Sequence, residues 1–136
     1  MYLLDTNVLS NSLKLSQYPN LQRWLAAQSA TSLYISSISL AELAYGVARL
    51  TDGKRKESLG NDIEKLRLRF NQRILPIDAE VALRYGSHHA AQIAAGLNDD
   101  PFDSFIIATA LVYDLTVITR NINHFENRGV KVVSPY

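Results

Sequence analysis

The sequence predicts an α/β fold, a single domain with a central, mainly parallel β-sheet flanked by helices on both faces. Three observations carry this. Short apolar or β-branched runs recur along the chain, at Tyr2–Leu4, Ser32–Ser36, Thr116–Thr119 and Lys131–Val133. The segments between them repeat apolar residues at helical spacing. The composition, 47% hydrophobic and 20% charged over 136 residues, suits one globular domain, which we expect to span residues 1–136.

Each element has a local reason. Tyr2–Leu4 is a short strand ending at Asp5, and a helix follows to about Leu13. A second helix covers Asn20–Gln28, and Ser32–Ser36 is the second strand. Ser39 opens the next helix, which places Glu42 on its first turn. Gly53 breaks the chain, and Leu59, Ile63, Leu66 and Phe70 then form one amphipathic stripe. Pro76 and Asp78 end a short extended piece and start a helix that runs to about Ala95. In Asn98-Asp99-Asp100-Pro101, Asp100 caps a helix and Pro101 takes its first position. Thr116–Thr119 and Lys131–Val133 are the closing strands.

Several function classes are excluded early. There are no cysteines, so no disulfide, zinc thiolate or iron–sulfur cluster is available. An acid as early as Asp5 argues against a secretory signal, and no apolar run is long enough to span a membrane. A cytoplasmic location is therefore expected. The net charge is only +1, but it is unevenly spread. Residues 49–73 hold eight Lys and Arg against four acids, so this segment is +4 and the remainder −3. A basic flank beside an acidic body would suit RNA; a solvated helix face explains it equally well.

Three acids stand out by position. Asp5 lies at the carboxyl end of the first strand, where open α/β sheets build their sites. Glu42 begins a helix after the second strand. Asp103 heads a stripe with Ile106, Ile107, Ala110 and Leu111, which aims its carboxylate inward. Gathered together, such acids repel one another and retain protons. A hard divalent cation such as Mg²⁺ relieves that repulsion. Each acid also has a purely structural reading. Asp5 could cap the following helix, Ser39 and Glu42 fit a capping box, and Asp103 suits a helix's first turn. Spacing alone does not decide between these readings.

Four segments, in order, resemble PIN-domain nucleases, most closely the VapC and FitB-like branch. They are Leu4-Asp5-Thr6-Asn7-Val8-Leu9-Ser10; Ser39-Leu40-Ala41-Glu42-Leu43 with Gly46; Asp103-Ser104-Phe105-Ile106-Ile107-Ala108-Thr109-Ala110; and Val117-Ile118-Thr119-Arg120-Asn121. The resemblance implies a metal-dependent ribonuclease that uses Mg²⁺ or Mn²⁺ to hydrolyse RNA. It implies the toxin half of a toxin–antitoxin pair, neutralised by a small antitoxin protein and reaching DNA only through it, and often a homodimer. Asp5, Glu42 and Asp103 would be the catalytic acids, with Asp5 and Asp103 holding the metal. Thr6 would be a supporting hydroxyl near Asp5, and Thr119 would line the site. The family commonly has a fourth acid where this chain has Asn121, which offers only a neutral carbonyl oxygen. His124, Asp99 or Asp100 could compensate.

Three rivals exist. Asp5-Thr6-Asn7-Val8 faintly resembles the nucleophile motif of haloacid-dehalogenase phosphatases, but Asn7 replaces that motif's second acid. A metal-free ribonuclease could use His88, His89 and His124, although adjacent helical residues point about 100° apart. A catalytically degenerate PIN module could bind RNA or a partner protein without cutting.

Overall fold

The computed structural model describes residues 1–136. Strand β1 (Tyr2–Leu4) leads into helix α1 (Thr6–Asn11), which tightens into 3₁₀ turns over Ser12–Gln17. Helix α2 (Pro19–Ala26) precedes β2 (Leu33–Ser36) and α3 (Ser37–Ala48). Then come α4 (Lys54–Phe70), β3 (Ile74–Leu75), α5 (Ala79–Ala94) and α6 (Pro101–Tyr113). Strand β4 (Thr116–Ile118), a 3₁₀ turn at Ile122–His124, and β5 (Val132–Val133) complete the chain.

The five strands form one sheet in the order β3-β2-β1-β4-β5, and every pairing is parallel. The expected α/β architecture is therefore present. The extended piece before Pro76 is an edge strand, paired to β2 through Ile35–Ile74 and Ser36–Leu75.

Alternation along the strands divides the core. Leu4 and Ile118 face one layer, where they pack with Val8, Leu9, Leu21, Ile35, Leu66 and Phe70. Leu3 and Val117 face the other, against Ile106, Ile107, Ala110 and Phe125. Helices α1, α2 and α4 thus cover one side of the sheet and α6 the other. The predicted stripe on α4 reaches the core through Leu66 and Phe70.

One boundary beside the site differs from expectation. Helix α3 starts at Ser37, with Ser36 as its cap: the Ser36 hydroxyl accepts the Ile38 N–H at 3.1 Å. The reason is that Ser36 still has an extended backbone and pairs with Leu75, so the chain turns immediately after it. Ser39 is therefore inside the helix, and Glu42 lies on its second turn rather than its first. The α5–α6 connection follows the reading closely. Asp78 caps α5, and Asp100 caps α6 with Pro101 at the first position.

The strand order reverses direction at β1, with β2 and β3 on one side and β4 and β5 on the other. Crevices at the carboxyl ends of strands form at such a switch point. Residues just after β1 and β4, Asp5 and Thr119, lie there.

Candidate active site

Asp5 is 3% exposed, directly after the central strand. Its own N–H extends the parallel ladder by donating to the Ile118 carbonyl at 2.9 Å, which fixes its backbone. One carboxylate oxygen accepts the Thr6 N–H at 2.7 Å, capping α1. The other accepts the Thr119 hydroxyl at 2.8 Å. The structural reading of Asp5 as a helix cap is correct, and it coexists with a buried carboxylate at the sheet's switch point.

Thr6 links Asp5 to Glu42. Its hydroxyl donates to Glu42 Oε1 at 2.7 Å, and its oxygen stands 2.9 Å from the hydroxyl of buried Ser39. Glu42 is therefore tethered across to α1, and Ser39, one turn before it on α3, packs against the same threonine. The capping-box reading of Ser39 and Glu42 is overturned, because the side chain that caps α3 is Ser36. Thr119 is fully buried, and besides donating to Asp5 it accepts the Asn121 N–H at 3.0 Å.

Asp103 stands on the first turn of α6 with its side chain 20% exposed. Its Oδ2 lies 3.2 Å from Nδ1 of His124, from the 3₁₀ turn after β4. Asp100, exposed at the head of α6, accepts the Phe102 N–H at 2.8 Å. Its charge reaches both Glu42 and Asp103.

The electrostatics bind these groups into one cluster. Burial raises the Asp5 carboxyl above its usual range, against the hydrogen bonds from Thr119 and Thr6. Burial also raises Glu42, opposed by the Thr6 hydrogen bond and reinforced by the charges of Asp5, Asp103 and Asp100. Asp103 is pushed up to about 6, first by burial and then by Asp5 and Asp100. His124 pulls in the opposite direction.

No three carboxylate or imidazole groups converge into a closed ligand set for one ion. The donors are nevertheless hard oxygens that repel one another. Such a set fits a cation that keeps several waters and takes one or two carboxylates, as Mg²⁺ does.

The structure sorts the other expectations. Asp99 is half-buried and committed to Arg128, at 2.6 Å to Nη2 and 3.1 Å to Nε, and this holds its carboxyl below the usual range. Asp100 and His124 do join the acids. Asn121 stands beside Thr119 and fastens it through the backbone. His88 and His89 lie on α5, where His89 stacks on Tyr85 and meets the Ser104 hydroxyl at 2.9 Å. His124 is the histidine that reaches the acidic cluster. The clasp between Arg128 and Asp99 had no signal in the sequence, because its partners are 29 residues apart.

Comparison with known proteins agrees with this geometry. The PIN domain family model matches residues 2–130. Toxin FitB of Neisseria gonorrhoeae is 38% identical over 143 residues, spanning 100% of this chain and 99% of its own. A VapC ribonuclease of Sinorhizobium fredii is 32% identical over 137 residues, spanning 100% and 98%. Among solved structures, FitAB bound to a DNA fragment superposes with a TM-score of 0.88 at 36% identity, covering 99% of this chain and 95% of that one. With Asp5 at the switch point of a five-stranded parallel sheet, the chain belongs to the PIN-domain family, in the branch that holds VapC and FitB.

Proposed function

We propose that this chain is a metal-dependent ribonuclease, the toxin of a toxin–antitoxin pair acting in the cytoplasm. The observation that carries it is the bridge by which Thr6 joins Asp5 to Glu42, together with the mutual charge effects that raise Glu42 and Asp103 beside Asp5. The relatives named as a ribonuclease and a toxin supply the reaction class.

A bound Mg²⁺ or Mn²⁺ supplies an activated water and shields the phosphate's charge. Asp5 and Asp103 are the residues that hold it. Asp5 is kept aimed by Thr119 and Thr6, so that it offers a fixed carboxylate edge. Glu42, tethered by Thr6, orients the attacking water. Water forms the new P–O bond as the P–O3′ bond breaks and the 3′-oxygen leaves to take up a proton, so the products carry a 5′-phosphate and a 3′-hydroxyl. Asn121 takes the place of a fourth acid and adds no charge.

A small antitoxin is the inhibitory partner in this reading. An apolar groove of about 220 Å³ runs from Glu42 along Leu43, Val47, Leu50, Leu59 and Ile63, with Arg55 at its side. A partner segment lying there would reach the carboxylates, and a basic side chain on it would neutralise them. A homodimer belongs to the same reading, and light scattering of the purified chain checks it.

The purified chain should cut a structured RNA with Mg²⁺ or Mn²⁺ and stop in EDTA. Asp5→Asn, Glu42→Gln and Asp103→Asn should each abolish most cleavage while the fold persists by circular dichroism, since a positioned metal contributes several kcal/mol to transition-state stabilisation. Full activity in those variants with a lower melting temperature would return the acids to a capping role. RNA binding without cleavage by the wild-type chain would favour the degenerate module.

A further inference from the structure

Arg120 is exposed and directly follows Thr119, the residue whose hydroxyl is bound to Asp5. Its starting point is fixed. The Thr119 N–H donates to the Val133 carbonyl at 3.1 Å, and the Thr119 hydroxyl is bound to Asp5. Its end is fixed too. The guanidinium carbon lies 6.0 Å from the centre of the Tyr18 ring and 5.7 Å from that of Tyr136. The rings meet edge to face at 5.9 Å and 83°. Tyr136 is anchored in turn, because its hydroxyl accepts the Asn11 amide at 2.7 Å and its carbonyl accepts that of Asn20 at 3.1 Å.

Two aromatic rings thus hold the cation without using its donors. The contrast with its neighbour is informative. Arg128 gives its donors to Asp99 and to the carbonyls of Asn123 and Glu126. Arg120 has no carboxylate partner and no hydrogen bond in the protein, so its planar fork of N–H groups faces solvent. The Tyr18 hydroxyl is free as well. Such a fork matches a phosphate in geometry and charge. A polyanion approaching a cluster of carboxylates needs a cation close by to offset their repulsion.

We propose that Arg120, held between Tyr18 and Tyr136, binds a backbone phosphate of the RNA strand next to the one presented to Asp5, Glu42 and Asp103. This rests on the ribonuclease reading and names a contact that reading does not contain. The contact is made before and during cleavage alike, so it strengthens binding of the strand more than it speeds the chemistry. Tyr18 and Tyr136 are positioning residues that act through Arg120.

The test has two arms. Steady-state cleavage is measured for the wild type and for Arg120→Ala, Arg120→Lys and Tyr136→Leu. Binding of a labelled single-stranded oligoribonucleotide of mixed sequence is measured against salt, in an Asp103→Asn background. Loss of one charge-assisted contact should raise KM about tenfold in Arg120→Ala with kcat nearly unchanged. The slope of log affinity against log salt should fall by about 0.7 in the same variant. Arg120→Lys should keep that slope while binding more weakly, and Tyr136→Leu should weaken binding with most of the slope retained. If the wild type cleaves and binds RNA but Arg120→Ala changes neither KM nor the salt slope, the proposal fails and the ribonuclease reading stands. A fall in kcat alone, with KM and slope unmoved, also overturns it. If the wild type neither binds nor cuts RNA, both fall together.

Discussion

Asp103 keeps its proton up to about pH 6 because it is buried beside Asp5 and Asp100. Its carboxyl in the unfolded chain titrates near the ordinary value of 3.8. Between those values the folded state holds the extra proton, so stability falls as pH rises from about 4 to about 6. Asp5 and Glu42 are raised as well and act in the same direction. In EDTA, the melting temperature should fall more between pH 5 and pH 7.5 in the wild type than in Asp103→Asn. Burial lowers His88 and acts the other way as pH rises toward 6.5, so the difference between the two proteins carries the test. An equal pH dependence in both would show that Asp103 is not destabilised by its neighbours. At Asn121 the missing fourth charge gives a second expectation. Asn121→Asp should tighten Mg²⁺ binding by about 1 kcal/mol, as a charge near a partly solvated cluster does. Calorimetric titration measures this, and unchanged affinity would mean that the side chain faces away from the site. Asp5, Glu42 and Asp103 were legible from motif and position. Their meeting was not, because it depends on strand order and on the Thr6–Glu42 bond, which spans 36 residues. Asp100 was legible as a cap and, from its closeness in sequence to Asp103, as one of three residues that could compensate for Asn121.

The helices and strands were largely readable where periodicity and punctuation agreed. Asp100 and Pro101 mark the start of α6 without ambiguity, and the stripe on α4 identified its core face. The start of α3 was less legible, because Ser36, Ser37 and Ser39 all have side chains able to cap. The pairing of Ser36 with Leu75 decides among them, and that pairing is a tertiary fact. The strongest element-scale tie that the sequence concealed is the clasp of Arg128 on Asp99. It fastens the segment after β4, which carries His124, to the connection between α5 and α6, which carries Asp100 and leads into the first turn of α6, where Asp103 stands. The two side chains are 12% and 6% exposed. Arg128→Ala would leave the carboxylate of half-buried Asp99 with only the Gln92 amide as a side-chain donor and should destabilise the chain by about 2 kcal/mol. Replacing both partners by apolar residues of similar size should cost much less. Urea unfolding of the single and double variants tests this, and equal losses in both would deny the pair its role.

At the scale of the whole molecule, no helix is long and apolar enough to cross a membrane. The alternation of strands and helices predicted a parallel sheet, but local patterns do not encode the order β3-β2-β1-β4-β5. That order puts the first strand at the centre, with the fourth strand as one of its two neighbours. A variant ending at Tyr113 would lose β4 and β5, half of the support of β1, and the hydroxyl that aims Asp5. It should show neither a cooperative thermal transition nor cleavage. A sharp melt in that variant would show that the first three strands suffice. The same arrangement bears on synthesis. Thr119 leaves the ribosome 114 positions after Asp5. A growing polypeptide therefore carries its acids unassembled for most of translation. A chain that destroys RNA would be inert while it is being made from one, and it would become dangerous only when nearly finished. That interval gives an inhibitory partner time to be present first.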